Sequence, residues 1–120
     1  MSIEDDIVFI ERVPTLRMLG RDALRILAIG AESLPVQKGA VLFVAGEPAD
    51  SGFVVQEGSF RLATSSKLTA DVIVGAGTLL GELALIAETK RPATATASEQ
   101  SRVIRISRSL FLKMLEGYPN

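Results

Sequence analysis

A chain of 120 residues, 48% of them apolar, suffices for one domain with a single core and is too short for a second one. Its 13 basic residues stand against 14 acidic ones, a net charge of -1 with no Lys/Arg run, which excludes a general polyanion binder that works by clustered cations. Neither Cys nor His occurs, so disulfides, iron–sulfur clusters and thiolate chemistry are excluded, and the commonest metal ligand and neutral-pH base are missing.

The acidic start, Glu4-Asp5-Asp6, lacks the positive charge and apolar stretch of a signal peptide and reads as a solvated helix face. No apolar run approaches the length of a membrane span. The expectation is a soluble cytoplasmic protein that uses no membrane. The whole chain, 1–120, reads as a single domain: N-terminal helices over 1–30, a β-roll over 33–106 and a closing helix over 107–117.

Ser2 with Asp5 predicts a helix start, and Ile3, Ile7 and Ile10 carry the helix to about Arg12. Val13-Pro14 ends it, because the residue before proline resists the α region. A second helix is predicted over Arg21–Ile29, with Ala23, Leu24, Leu27 and Ala28 on one face and Gly30 as its C-terminal cap. From Ser33 the period changes. Short apolar runs at Leu34–Val36, Val41–Val44, Phe53–Gln56, Phe60–Thr64 and Asp71–Val74 are separated by glycine-bearing turns. Such spacing suggests a sandwich, barrel or roll. Glu82–Ile86 suits about one helical turn. Ala93–Ala97 alternates alanine with threonine, one residue type on each face of a strand. Val103–Ile106 is the last of about eight strands. Ser107 then caps a helix whose Leu110, Phe111, Met114 and Leu115 share a face, and Gly117 and Pro119 stop it.

The segment from Gly81 to Ala97 carries the chemistry. Gly81 allows a tight turn and close approach of backbone to a ligand. A helix beginning at Glu82 presents N–H groups, those of Leu83 and Ala84 included, that favour an anion. The planar fork of Arg91, after a loop that can fold back, matches two phosphate oxygens. Ionised Glu82 only accepts hydrogen bonds and so suits sugar hydroxyls. The set fits a small molecule with one anionic end and adjacent hydroxyls.

Gly81-Glu-Leu-Ala-Leu-Ile-Ala-Glu-Thr-Lys-Arg91-Pro-Ala-Thr-Ala closely resembles the phosphate-binding cassette of cyclic nucleotide-binding domains. That family includes kinase regulatory subunits, catabolite-activator-type regulators and cyclic nucleotide-gated channels. Lys38-Gly39, Gly46-Glu47-Pro48-Ala49-Asp50, Phe53-Val54-Val55, Gly58 and Gly75-Ala76-Gly77 resemble its glycine-punctuated strands. The resemblance covers Leu16 to Leu115 and implies a mainly β fold: an eight-stranded β-roll of jelly-roll type with short terminal helices and a short cassette helix. It implies that Glu82 accepts the ribose 2′-hydroxyl and Arg91 pairs with the exocyclic phosphate oxygens. Gly81, Leu83 and Ala84 would give backbone, Ala93 an N–H to the phosphate, and Leu62 and Val72 would line the sugar and base region.

Two departures from the family pattern matter. The residue after the arginine usually directs its N–H at the phosphate, but Pro92 has none. Losing a hydrogen bond to a charged group costs roughly ten- to a hundred-fold in affinity, partly offset by the proline's rigidity. The chain also ends at Asn120, where family members continue into a helix that covers the base. The implied function is a sensory or regulatory domain for cAMP or cGMP. It needs no cofactor, binds no nucleic acid directly and carries no effector of its own. It would act through an effector domain or partner protein, with a homodimer left open. A degenerate roll serving as an interaction or dimerisation module is the alternative. An enzyme ranks below both, for lack of recognisable catalytic groups.

Overall fold

The computed structural model describes residues 3–64, 66 and 68–117; Ser2 and Pro119, expected as helix start and stop signals, lie outside them. Three helices open the chain: α1 (Ile3–Ile10), α2 (Pro14–Arg17) and α3 (Arg21–Gly30). Ten strands follow: β1 (Glu32–Val36), β2 (Val41–Phe43), β3 (Pro48–Ala49), β4 (Ser51–Glu57), β5 (Ser59–Ala63), β6 (Val72–Gly75), β7 (Leu79–Leu80), β8 (Thr89–Lys90), β9 (Thr94–Ala97) and β10 (Ser101–Ser107). A 3₁₀ turn, Glu82–Leu85, interrupts them, and α4 (Arg108–Gly117) closes the chain. The fold is the expected mainly β roll, with ten strands instead of about eight. The strands that none of the seven runs named from the sequence covers are β3, β7 and β8, of two residues each and too short to show any period.

All pairings are antiparallel, in two four-stranded sheets ordered β1-β10-β4-β7 and β2-β9-β5-β6, plus the β3-β8 ribbon. Residues 51–56 of β4 are all buried, because both faces of its sheet are covered. Val54, with Ile104 and Ile106 of β10, joins the helices in one cluster; Phe53, Val55 and Val103 face the second sheet in another, so two buried clusters flank this sheet where the chain length suggested a single core. This division follows the period of two along a strand. In β9 and the residue before it, Ala93, Ala95 and Ala97 are buried while Thr94 and Thr96 are only partly so, as the alternation predicts. The small alanines allow Phe60, fully buried on β5 opposite Ala97, to fill the space between the sheets.

The helices depart from expectation in several details. α1 ends at Ile10, and Val13, in extended geometry, precedes Pro14 at the first position of the unforeseen α2, where proline's missing N–H costs nothing. The acidic start is more than a solvated face. Glu4 pairs with Arg25 at 2.7 Å and with Arg21 at 3.3 Å, and Asp6 accepts a hydrogen bond from Gln56 Nε2 at 3.0 Å. Gly30 is not a cap but the last residue of α3; a Cβ there would lie 2.6 Å from Leu110 Cδ1. Its lack of a side chain lets α4 pack against α3. Ser107 caps α4 as expected, its Oγ accepting from the Leu110 N–H at 3.1 Å. Phe111 and Met114 are buried, Leu110 half-buried, and Leu115 is exposed instead of sharing the core. Among the described residues no helix is long and apolar enough to cross a membrane.

Candidate ligand-binding site

The 3₁₀ turn is anchored from below. Ala84 and Leu85 are buried, Leu85 in the helical cluster, while Glu82 and Leu83 are exposed. The turn is entered through Gly81 in the left-handed conformation, φ 80°, and closes with Ala84 N–H donating to the Gly81 carbonyl at 3.1 Å, so this N–H is not the free donor that the sequence suggested. Glycine is required there twice over. A Cβ would strain the backbone, and it would sit 2.5 Å from Arg91 Nη1 and 3.0 Å from the Ser51 carbonyl. The guanidinium of Arg91 therefore lies directly against the start of the turn, ten residues away in sequence, as the folded-back loop requires.

Arg91 is held from all sides. Its N–H donates to the Glu47 carbonyl at 2.9 Å and its carbonyl accepts from Gly46 N–H at 2.8 Å, just past the β3-β8 ribbon. The residue is only 6% exposed. Nη1 donates to the Ser51 carbonyl at 2.9 Å and Nη2 to Ser51 Oγ at 3.3 Å. The guanidinium carbon lies 4.4 Å from the ring centre of Phe43 and 5.5 Å from that of Phe53, within range for cation–π attraction. These contacts engage two of five N–H bonds, so part of the fork is left for an anion. Burial lowers the proton affinity of the guanidinium, opposed by the Asp50 and Glu47 carboxylates; it remains a cation. Asp50 is held below the usual carboxylate range, chiefly by the hydrogen bond from Ser51 Oγ and then by Arg105.

Glu82 follows Gly81 as the first residue of the same turn. Its Oε1 accepts a hydrogen bond from Thr15 Oγ1 of α2 at 2.8 Å, a contact between residues 67 apart. The groove between turn and arginine has a volume of about 270 Å³ and is lined by Ala49, Gly81, Glu82, Leu83, Ala84, Thr89, Lys90, Arg91 and Pro92. Six residues singled out from the sequence thus meet in one place. Ala93 is buried beside it without lining it; Leu62 packs against the cluster between the sheets, and Val72, its cross-strand partner, is exposed. Neither reaches this groove. A wider depression of about 570 Å³ adjoins it across Ala49, Thr89 and Lys90. There Arg108 Nη1 donates to the carbonyls of Ala49, Ala84 and Ala87 at 3.0, 3.2 and 2.9 Å, so this cation ties α4 to the turn.

Sequence reasoning missed Ser51, Phe43, Phe53, Arg108 and Thr15. The last two sit in helices, where an arginine or threonine reads as surface. Among the described residues no group of three or more acidic, His or Cys side chains could hold a metal ion.

Comparison with known proteins agrees with this geometry. The chain matches the family described as cyclic nucleotide-binding domain over residues 33–118. A solved structure of a cyclic nucleotide-binding-like protein from Brucella abortus is 38% identical, with a TM-score of 0.83, covering 93% of this chain and 98% of that one. An uncharacterised NTE family protein of Mycobacterium tuberculosis is 34% identical over 111 residues, 92% of this chain and 19% of that protein. A cyclic nucleotide-gated potassium channel of Mesorhizobium japonicum is 32% identical over 107 residues, 89% of this chain and 29% of the channel. The chain thus spans less than a third of either of these two relatives. With a roll of this topology, a turn at Gly81–Leu85 facing a buried arginine, and a match over most of its length, the chain belongs to the cyclic nucleotide-binding domain family.

Proposed function

We propose that this chain binds a cyclic mononucleotide, cAMP or cGMP, as a sensory module that acts on an effector outside it. The observation that carries the reading is the meeting of the Arg91 guanidinium with Gly81, while Glu82, the next residue, lines the same groove. A cation with unspent N–H bonds meets the phosphate, and an acceptor-only group meets the sugar hydroxyl. The groove falls just under the ~300–1,000 Å³ usual for small-molecule sites, so the sugar-phosphate fits within it and the base extends beyond, towards exposed Leu83. Pro92 gives no N–H, leaving the phosphate more dependent on Arg91.

Signalling would run through Arg108. Charge neutralisation at Arg91 shifts the turn, and the carbonyl bonds from Ala84 and Ala87 to Arg108 move α4 with it. A ligand biases such an equilibrium only by its differential contacts. Effectors of the kind named in the relatives, a potassium channel among them, lie outside this span. No catalytic step is assigned to the chain.

A second reading, a degenerate roll used for protein interaction, is favoured by one observation: the Arg91 fork is already partly satisfied by Ser51. Calorimetric titration with cAMP, cGMP and AMP decides between them. Under the sensing reading a cyclic nucleotide binds and raises the melting temperature, and Arg91→Ala abolishes both effects. Absence of heat and of stabilisation at millimolar ligand leaves the second reading.

A further inference from the structure

The Glu82 carboxylate is exposed on a side chain with several rotatable bonds, and fixing such a side chain costs rotamer freedom. It accepts a hydrogen bond from Thr15 Oγ1, at 2.8 Å. Thr15 itself is well placed to orient it. Val13, which precedes α2, and Leu16, next to Thr15, are 3% and 2% exposed, so the backbone of α2 is pinned into the helical cluster. The β-branched threonine has few χ1 choices. The turn bearing Glu82 is pinned into the same cluster through Leu85. The two ends of this hydrogen bond therefore rise from one rigid platform, and only the glutamate torsions between them remain to be set. A carboxylate offers about four lone-pair positions; the threonine takes one.

Resting on the nucleotide-binding reading above, we infer that Thr15 is a positioning residue for the sugar site: its hydroxyl sets the Glu82 carboxylate to receive a ribose 2′-hydroxyl. Helix α2 thereby contributes to ligand selectivity, although it does not line the groove.

The experiment is a calorimetric comparison of cAMP and cGMP with their 2′-deoxy counterparts on the full chain, Thr15→Val and Thr15→Ser. The parent prefers the ribose ligand. Thr15→Val, which keeps shape but removes the donor, weakens the ribose ligand about five-fold, the worth of one ordinary hydrogen bond, and leaves the deoxy ligand unchanged. Thr15→Ser retains the preference. Equal weakening of both ligands assigns Thr15 a merely structural role and overturns the inference, as does an unchanged ratio. Tighter ribose binding in Thr15→Val overturns it too, since the hydroxyl would then be a competitor. These failures leave nucleotide binding intact, whereas a parent that binds neither nucleotide overturns the functional reading and this inference together.

Discussion

Two side chains that line the groove are held differently. Arg91 is 6% exposed, hydrogen-bonded through its backbone on both sides, stacked near two phenyl rings and tied twice to Ser51. Glu82 is exposed and meets one hydroxyl from a distant helix. A buried cation must be held this way, because desolvation is costly unless polar partners and ring faces compensate. An exposed carboxylate stays hydrated and needs only direction. The contrast teaches that the arginine is preorganised into the core, whereas the glutamate is oriented by one contact at the surface.

Three perturbations test that contrast. Arg91→Lys should produce the largest effect. It keeps the charge but loses the fork and the ring stacking, so affinity for the cyclic nucleotide falls about a hundred-fold by calorimetry; a loss under five-fold would mean the rigid setting is irrelevant. Glu82→Gln removes the acceptor's charge while leaving an amide oxygen. Ribose-ligand affinity should drop roughly ten-fold with the 2′-deoxy ligand unaffected, and an equal drop for both would erase the division of labour. The smallest effect concerns pH. The carboxyl of Asp50 is depressed in the fold, first by Ser51 and then by Arg105. It therefore contributes stability above the ordinary Asp range near ~4, which is lost as pH falls through the lower folded value. Melting curves should show a slightly steeper acid loss below about pH 4 in the parent than in Asp50→Asn. Exposure of Asp50 keeps the difference small, and identical curves would detach Ser51 from the electrostatics of the arginine.

Much of the site was legible because its residues lie close together in the chain. Gly81, Glu82 and Arg91 sit in one short segment whose turn chemistry and donor types can be read directly. The alternation at Ala93–Ala97 and the cap at Ser107 are likewise local. Gly30 misled for a corresponding reason: a glycine ending a helix usually marks a cap, and only packing against Leu110 reveals why a side chain is excluded. Leu115 had the right spacing for a core face, but α4 meets the core through Leu110, Phe111 and Met114 and leaves Leu115 exposed. The strands β3, β7 and β8 carry two residues each, and two residues cannot display a period.

Taken alone, the order of amino acids determined the strand-rich roll, the tight turn and the pair of groups suited to a phosphate and a sugar, since periodicity, glycine placement and side-chain chemistry are properties of neighbouring residues. Folding decided what surrounds that pair. Ser51 is 40 residues from Arg91, and Thr15 is 67 from Glu82. Contacts at such separations exist only once β4 runs beneath Gly81 and α2 lies beside the turn, because the burial of two hydrophobic clusters, and no local preference, brings those segments together.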